Sequence, residues 1–229
     1  MERETYTNPR VIQLAGQFVP VKLNAEREGM AAARKYQIGG LPAILFLNTS
    51  GEVEGRIGGY LPPEAFSQRL TEIMQAHRDF PRLQARYKAH PSDISLAMRL
   101  ASIYSQRGNA ASAATTLAQA EKYAPKSKRE QLHIAYMQAG ATLAQQHQLI
   151  RAVPFFRRAA VNGKQPNEVA QARLSAAICN LMQNRLAAAV PDLQATLKIP
   201  GVSEEFKQQA RQTLLQVQQQ LKLRKHGGR

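Results

Sequence analysis

Few residues of this chain have a type and spacing suited to covalent chemistry. Its 229 residues include one cysteine, Cys179, which cannot form a disulfide within the chain, complete a redox pair or supply a multi-cysteine zinc site. Cys179 lies in a helical pattern with Ile178, Leu181 and Met182, and free cysteines are commonly buried, so we expect an inert thiol. The five histidines have no HExxH or other paired spacing that would indicate a metal site. We therefore expect no catalytic residue, no metal and no cofactor in this chain.

Other catalytic patterns are also missing from the sequence. It contains no Walker A loop, no dinucleotide-binding glycine fingerprint and no G-x-S-x-G motif. Glu52 and Glu54 are paired carboxylates, but they lie in a polar segment that offers no apolar shelter to raise a carboxyl pKa. These patterns argue against a nucleotide-dependent enzyme and against a hydrolase.

The first eighty residues alternate between strand and helix patterns. A β-branched run predicts a strand over 18–23, and an alanine-rich segment predicts a helix over 25–36 that stops at a glycine pair. The fully apolar run 43–47 predicts a buried strand. Turn residues then lead into a returning strand over 52–58, and a Pro-Pro-Glu start predicts a helix over 62–76.

This element order resembles the second half of the thioredoxin fold over residues 1–77. The residues that carry the resemblance are the order itself, Gly40-Leu41-Pro42 directly before the central apolar strand, and the glycine pair after the hairpin. The thioredoxin-like domains of thiol:disulfide interchange proteins are the most similar. The resemblance implies a cis Leu41–Pro42 bond and a substrate-binding site at Gly40, Leu41 and Pro42, where the backbone of Leu41 pairs with an extended polypeptide. An ordinary trans proline at the start of a strand is the alternative.

The resemblance also implies elements that would precede Met1. In that family a Cys-x-x-Cys pair precedes a segment like residues 1–10, and a further strand lies between the two that we predict at 18–23 and 43–47. Without that strand the sheet has an unprotected edge. We expect the reading frame to extend upstream and to encode the cysteine pair; a degenerate domain is the alternative. The chain as given is then not an oxidoreductase, and the extended chain is a thiol-disulfide oxidoreductase.

The remaining residues are alanine-rich segments of helical period with internal repeats. Ala152-Val-Pro-Phe-Phe156 and Ala189-Val-Pro-Asp-Leu193 start 37 residues apart (152 to 189), and Ala113 takes the same place 39 residues before Ala152. Small residues at Ala101, Gly140 and Ala177 would let paired helices approach closely. This pattern resembles tetratricopeptide (TPR) repeats, whose hairpins are stable only when stacked. The resemblance implies a scaffold with a concave peptide groove.

Together these patterns predict an α/β fold, a partial thioredoxin-like domain at 1–79, followed by an all-α array. The array comprises three TPR-like helical hairpins at 80–202, and a capping helix with a basic tail at 203–229. Counting along the first helix of each hairpin predicts which residues line the groove. They are Met98, Ser102 and Ser105, then Met137, Ala141 and Gln145, then Leu174, Ile178, Leu181 and Met182. Burial of the apolar ones in the core is the alternative, most of all for Leu174 and Ile178.

The net charge of +15 belongs to the second part of the chain. Residues 1–80 hold nine acidic and nine basic residues, whereas 81–229 hold seven acidic and 22 basic ones. Such an excess could bind nucleic-acid phosphates. The aromatic residues of this part sit at packing positions, however, which leaves few for base stacking. The basic residues form three clusters: Lys122, Lys126, Lys128 and Arg129; Arg151, Arg157 and Arg158; Lys222, Arg224, Lys225 and Arg229.

We therefore expect that the protein supports thiol-disulfide exchange or protein folding, and that its helical array binds a protein or peptide client. The alternatives are a non-catalytic interaction scaffold with a vestigial thioredoxin-like domain, and nucleic-acid binding by the basic part. No segment of the sequence is apolar enough for a membrane span. As written the chain has no secretory signal, so we expect a cytoplasmic protein, and a periplasmic or exported one if the N-terminus is truncated.

Overall fold

The computed structural model describes residues 1–226, which contain ten α-helices, a short 3-10 turn at Lys126–Lys128 and two strands. The bounds of these elements are α1 (Pro9–Ala15), α2 (Met30–Lys35), β1 (Ala43–Leu47), β2 (Val53–Gly58), α3 (Pro63–Ala89), α4 (Ile94–Gln106), α5 (Ala110–Tyr123), α6 (Arg129–Gln145), α7 (Leu149–Asn162), α8 (Pro166–Met182), α9 (Leu186–Leu197) and α10 (Glu204–His226).

Strands β1 and β2 form an antiparallel hairpin, as the sequence predicts. Ile44 pairs with Ile57, and the register shifts after Phe46. The turn is closed by Asn48, whose side-chain oxygen accepts hydrogen bonds from the backbone of residues 50 and 52. Gly51 in this turn has a φ of 74°, a conformation in which a side chain would be strained.

One face of the hairpin packs on α1 and α3 to form the core of the N-terminal unit, by which we mean α1, α2, the hairpin and the first half of α3. Gly55 of β2 permits close packing, because a Cβ there would lie within 2.8 Å of three side-chain atoms of Ile73. The unit is thus built on a small core. Its buried apolar residues are Val11, Phe46, Ile57, Phe66, Leu70 and Ile73.

Two predictions for this unit are wrong, that of a strand over 18–23 and that of a full helix over 25–36. Residues 18–23 form no strand: the backbone N–H of Phe18 donates to the carbonyl of Ala15, and within the described residues 19–23 donate no backbone hydrogen bond. The helix predicted over 25–36 is reduced to α2. Turns replace its first half, where the carbonyl of Asn24 accepts hydrogen bonds from Arg27 and Gly29.

Helix α3 is longer than the sequence predicts. It does not end near residue 76 but continues through Pro81 to Ala89. Its buried residues lie on one face at helical spacing along the whole length, first Phe66 and Leu70 and later Leu83 and Tyr87. The same helix therefore packs in the N-terminal unit and in the helices that follow, and the division at 79/80 falls inside it.

Helices α4 to α10, which we call the helical array, pack mainly on their neighbours in the chain. Helix α7 lies between α6 and α8, and α4 also contacts α6. The small residues predicted to allow close packing are buried, and a Cβ on Gly140 would lie 2.9 Å from the ring of Phe156. Helix α10 lies within the range predicted as a capping helix and basic tail, and it packs on α9. The end of the predicted basic tail, residues 227–229, lies outside the described residues.

One buried and one partly buried acidic group join helices of the array. Asp192, 1% exposed, accepts hydrogen bonds from Arg157 at 2.7 Å and from Arg173 at 3.1 Å, which ties α9 to α7 and α8. Glu121 of α5 accepts from the Tyr136 hydroxyl of α6 and from Arg158 of α7. Burial, with Glu121 as a second cause, raises the pKa of Tyr136 well above its usual value, so this hydroxyl stays protonated.

Candidate functional site

The predicted substrate-binding loop lies at the surface directly before β1. The Leu41–Pro42 peptide bond is cis, as the resemblance implies. Leu41 is 62% exposed and Pro42 is also exposed, whereas Gly40 is half-buried. The carbonyl of Pro42 accepts a 2.8 Å hydrogen bond from the backbone of Gly59, which fixes the loop to the end of the hairpin.

The helical array reaches this loop through His147, in the turn between α6 and α7. His147 has a positive φ of 60°. A Cβ on Gly40 would lie within 2.8 Å of three atoms of the imidazole ring, and one on Gly39 would lie 2.8 Å from the His147 carbonyl oxygen. Only glycines allow this approach. The sequence interpretation missed the contact, because the glycine pair also fits a simple helix stop.

Arg56 of β2 holds the two regions together. Its guanidinium donates hydrogen bonds to the carbonyl of Tyr36 at 2.8 Å and to that of Arg107, at the end of α4, at 3.3 Å. Burial, followed by the nearby charge of Arg151, lowers the pKa of Arg56. The side-chain amide of Gln146 also donates a 2.9 Å hydrogen bond to the carbonyl of residue 106. A cleft of about 350 Å³ remains between β2, α3 and the ends of α4 and α6.

Part of the predicted peptide groove is accessible. On α8, Ile178 and Met182 are 44% and 65% exposed. On α4 and α6, Ser102, Ala141 and Gln145 are exposed. A residue that the prediction missed, Ile134 of α6, is 43% exposed. It lies three residues before Met137, so the helical spacing could have identified it.

Other predicted groove residues belong to the core. Leu174 is 4% exposed and packs with α9 and α10, so the core interpretation is right for it and not for Ile178. Ser105 is fully buried, and its hydroxyl donates to the carbonyl of Ala101. Met98, Met137 and Leu181 are half-buried against the core.

The lone thiol is buried in the array. Cys179 is 4% exposed among the residues where α8 packs on the preceding helices. Burial raises the pKa of this thiol, which lowers the fraction of reactive thiolate at neutral pH. Within the described residues, no group of three or more histidine, cysteine or acidic side chains is placed to hold a metal ion.

The three basic clusters differ in accessibility. Lys122, Lys126, Lys128 and Arg129 are exposed around the connection from α5 to α6. In the second cluster, Arg157 and Arg158 are paired with Asp192 and Glu121. In the third, Lys222 and Arg224 are exposed on α10, and Arg224 donates to Asn184.

Comparison with known protein families matches residues 1–74 to the thioredoxin-like domain. No curated protein and no solved structure matches the chain. Among the described helices, none combines the length and apolar character that crossing a bilayer requires. The chain thus starts with a thioredoxin-like domain that contains a small two-stranded sheet, and a mostly helical region follows it.

Proposed function

We propose that this chain supports protein folding or thiol-disulfide exchange by binding a protein client, with a TPR-like array as the recruiting surface. The thioredoxin-like domain suggests the thiol-disulfide context. The single thiol of this chain, Cys179, is buried in α8. We therefore assign to this chain the binding of the client rather than thiol chemistry.

The observation that carries this proposal is a set of three exposed apolar side chains on α6 and α8, which we call the apolar row. Ile134, Ile178 and Met182 are each more than 40% exposed. Ile178 and Met182 are four residues apart on one helix, so they present adjacent side chains. A flexible methionine beside a branched aliphatic residue suits apolar segments of varied sequence, as an unfolded client offers.

The second support is the position of the predicted substrate loop. Leu41 is exposed at the point where the array meets the N-terminal unit, with His147 packed on the neighbouring glycines. A client that extends from the array past His147 would reach Gly40, Leu41 and Pro42. We propose that this loop contacts the same client.

Introducing a negative charge into the apolar row tests the proposal. Ile178→Glu and Met182→Glu should each weaken binding of a permanently unfolded protein, reduced and carboxymethylated α-lactalbumin, by about tenfold, because an apolar contact is replaced by a hydrated charge. Fluorescence anisotropy of the labelled client measures the dissociation constant, and circular dichroism shows whether helicity is retained.

Val161→Glu is the matched control, since Val161 is 53% exposed on α7 and outside the row. It should bind the client as the parent does. Equal binding by the parent and by both row variants would contradict the recruiting surface. In that case the alternative function, a non-catalytic scaffold, would also require that the partner bind to another face of the array.

A further inference from the structure

A second cleft, of about 890 Å³, lies where the start of β2 meets the helical array, and we call it the arginine cleft. Its walls come from β2, α3, the turn between α4 and α5, and the N-terminal half of α7. Glu52, Asn109, Arg151 and Pro154 line it and are exposed, so its mouth is wide. Small-molecule sites enclose most of their ligand, whereas a polypeptide segment can lie in an open cleft of this kind.

Two helices of the array begin at this cleft. Helix α5 starts after Asn109, whose side-chain oxygen accepts a 3.0 Å hydrogen bond from the backbone of Ser112. Ala110 and Ala111 line the cleft, and within residues 1–226 their backbone N–H groups have no acceptor. Arg151 belongs to the first turn of α7. Because the N-terminal end of a helix carries partial positive charge, both helices favour an anion here.

Two arginines line the same cleft and are incompletely paired. The guanidinium carbon of Arg107 lies 3.8 Å from the ring centre of Phe80, and this arginine side chain is only 12% exposed. Its Nε is buried without a hydrogen-bond partner in the described part of the chain, and its Nη2 lies 4.0 Å from the carboxylate of Glu54. Arg151 donates to the side-chain oxygen of Gln148 at 3.3 Å and forms no ion pair within residues 1–226. Both guanidinium groups can therefore donate to a further acceptor.

A buried amide beside the cleft also has an unused donor. Gln148 directly precedes α7 and is 6% exposed, yet its Nε2 has no acceptor among the described residues. This nitrogen lies 2.5 Å from the position that a Cβ on Gly108 would take, and Gly108 lines the cleft. Buried donors without a partner are uncommon because they cost free energy. The donors on this side of the cleft thus outnumber its acceptors.

We propose that the arginine cleft binds the carboxylate of an acidic side chain in a client polypeptide, together with an apolar residue next to it. Three guanidinium groups lie at or beside the cleft, those of Arg56, Arg107 and Arg151. Two carboxylates, those of Glu52 and Glu54, compensate part of this charge. One positive charge remains, which matches a carboxylate better than a doubly charged phosphate.

The wall beside the arginines is apolar and aromatic. Tyr104 meets the ring of Phe80 edge-on, with ring centroids 5.4 Å apart, and Pro154 is exposed in the same cleft. An apolar side chain next to the carboxylate would bury its surface against these groups. This inference rests on the proposed function, since it states which client segments bind at a contact other than the apolar row.

The test uses two acetylated and amidated peptides, Gly-Ser-Leu-Glu-Leu-Ser-Gly and the same peptide with glutamine in place of glutamate. Titration of the parent chain, followed by ¹⁵N NMR, gives both dissociation constants. We expect the glutamate peptide to bind about fivefold more tightly in 50 mM salt, and this preference should shrink in 500 mM salt because ions screen exposed charges. The amide signals of Ala110 and Ala111 should shift with the glutamate peptide and not with the glutamine peptide.

Arg151→Gln removes a charge from the cleft while keeping a polar side chain at an exposed position. It should weaken binding of the glutamate peptide about fivefold and leave binding of the glutamine peptide unchanged. Arg129→Gln is the matched control, since Arg129 is exposed at the start of α6 and does not line the cleft. This control loses the same charge and should bind both peptides as the parent does.

Equal binding of the two peptides, no binding of either, or unshifted amides at Ala110 and Ala111 would overturn the proposal. Displacement of the glutamate peptide by an equal concentration of inorganic phosphate would contradict the choice of a carboxylate. Binding of 3-phenylpropionate as tight as that of the peptide would assign the cleft to a small acid instead of a client. The amide shifts are read on the parent chain, so they decide the question even if Arg151→Gln does not fold.

The two proposals fail separately. Loss of the preference for glutamate would overturn the arginine cleft as a binding site even if Ile178→Glu weakens binding of the unfolded protein. Conversely, a preference for glutamate that Arg151→Gln abolishes would support the cleft even if Ile178→Glu had no effect, in which case the apolar row is wrong.

Discussion

The N-terminal unit and the helical array bury their apolar faces in different ways. In the array each helix packs on the next one in the chain. Every pair of helices therefore buries its apolar face against residues that are close in sequence. In the hairpin of the N-terminal unit, one face packs on helices and the β2 edge faces the array, and within residues 1–226 strand β1 pairs with β2 alone. Helices satisfy their own backbone, whereas a strand depends on a neighbour.

The regions also differ in how charge is used. The N-terminal unit is balanced in charge. The carboxylates of Glu2 and Glu72 pair with Lys22 and Arg69 and are exposed, whereas Glu54 is partly buried between His77 and Arg107. The array has few acidic residues, and two of them, Asp192 and Glu121, hold arginines between helices. In the array, acidic groups are part of the packing.

Removing a core ring from each region should separate their stabilities. Phe156→Ala should lower the free energy of unfolding of the array by about 3–5 kcal/mol, the usual cost of a large buried cavity. Phe46→Ala should instead speed exchange of the β1–β2 amides while leaving the helical transition in urea nearly unchanged. Circular dichroism during urea unfolding, with hydrogen exchange, measures both. Identical shifts of the helical transition by the two variants would show that the regions unfold as one.

The buried carboxylate of Asp192 offers a test of charge inside the packing. Asp192→Ala leaves Arg157 and Arg173 without their shared partner and should cost about 3 kcal/mol of stability. Glu204→Ala removes an exposed carboxylate from a pair with Lys207 and should cost under about 1 kcal/mol. Urea unfolding of both variants gives the comparison. Similar losses would mean that burial does not distinguish these pairs.

Close packing at Gly140 predicts a dependence on its neighbour. Gly140→Ala should destabilise the array by about 1 kcal/mol, because contact with the Phe156 ring outweighs the better helix propensity of alanine. In a Phe156→Leu background the same change should be neutral or stabilising. The coupling is measured by a double-mutant cycle of unfolding free energies. Additive effects would contradict the contact.

The thiol of Cys179 should report on the array alone. Burial raises its pKa, so at pH 8 it should react with a disulfide reagent far more slowly in the native chain than in urea. Phe156→Ala should speed this reaction by opening the array, and Phe46→Ala should leave its rate unchanged. Absorbance of the released thiol follows the reaction. A fast native rate would contradict burial of this residue.

Sequence patterns predicted the array better than the sheet. Small residues at helical spacing, such as Ala101, Gly140 and Ala177, are buried as expected, because spacing within a helix decides which face meets its neighbour. The run 18–23 has the composition of a strand but lacks a partner, and composition alone carries no information about partners. For the same reason the length of α3 was missed, since its second half is stabilised by helices further along the chain.

Local sequence patterns also identified only part of the candidate site. The cis bond and exposure of Leu41 agree with the resemblance to thioredoxin-like domains. Helical counting placed Ile178 and Met182 on the surface correctly but also included Leu174, which α9 and α10 cover. The contact of His147 with the glycines before Leu41 joins residues a hundred positions apart, and no local pattern indicates it.

Helix α3 runs unbroken from the N-terminal unit into the array. Its length therefore fixes the distance between the two regions, and its helical twist fixes their relative rotation. Each residue of an α-helix advances the chain by about 1.5 Å and turns it by about 100°. The ten residues from Ile73 in one core to Leu83 in the other therefore set both the separation and the rotation of the array relative to β1. One inserted residue in this stretch would swing His147 away from Gly40, whereas seven would nearly restore the angle at a greater distance. The spacing along α3 thus determines where the loop at Gly40 lies relative to His147 and the array.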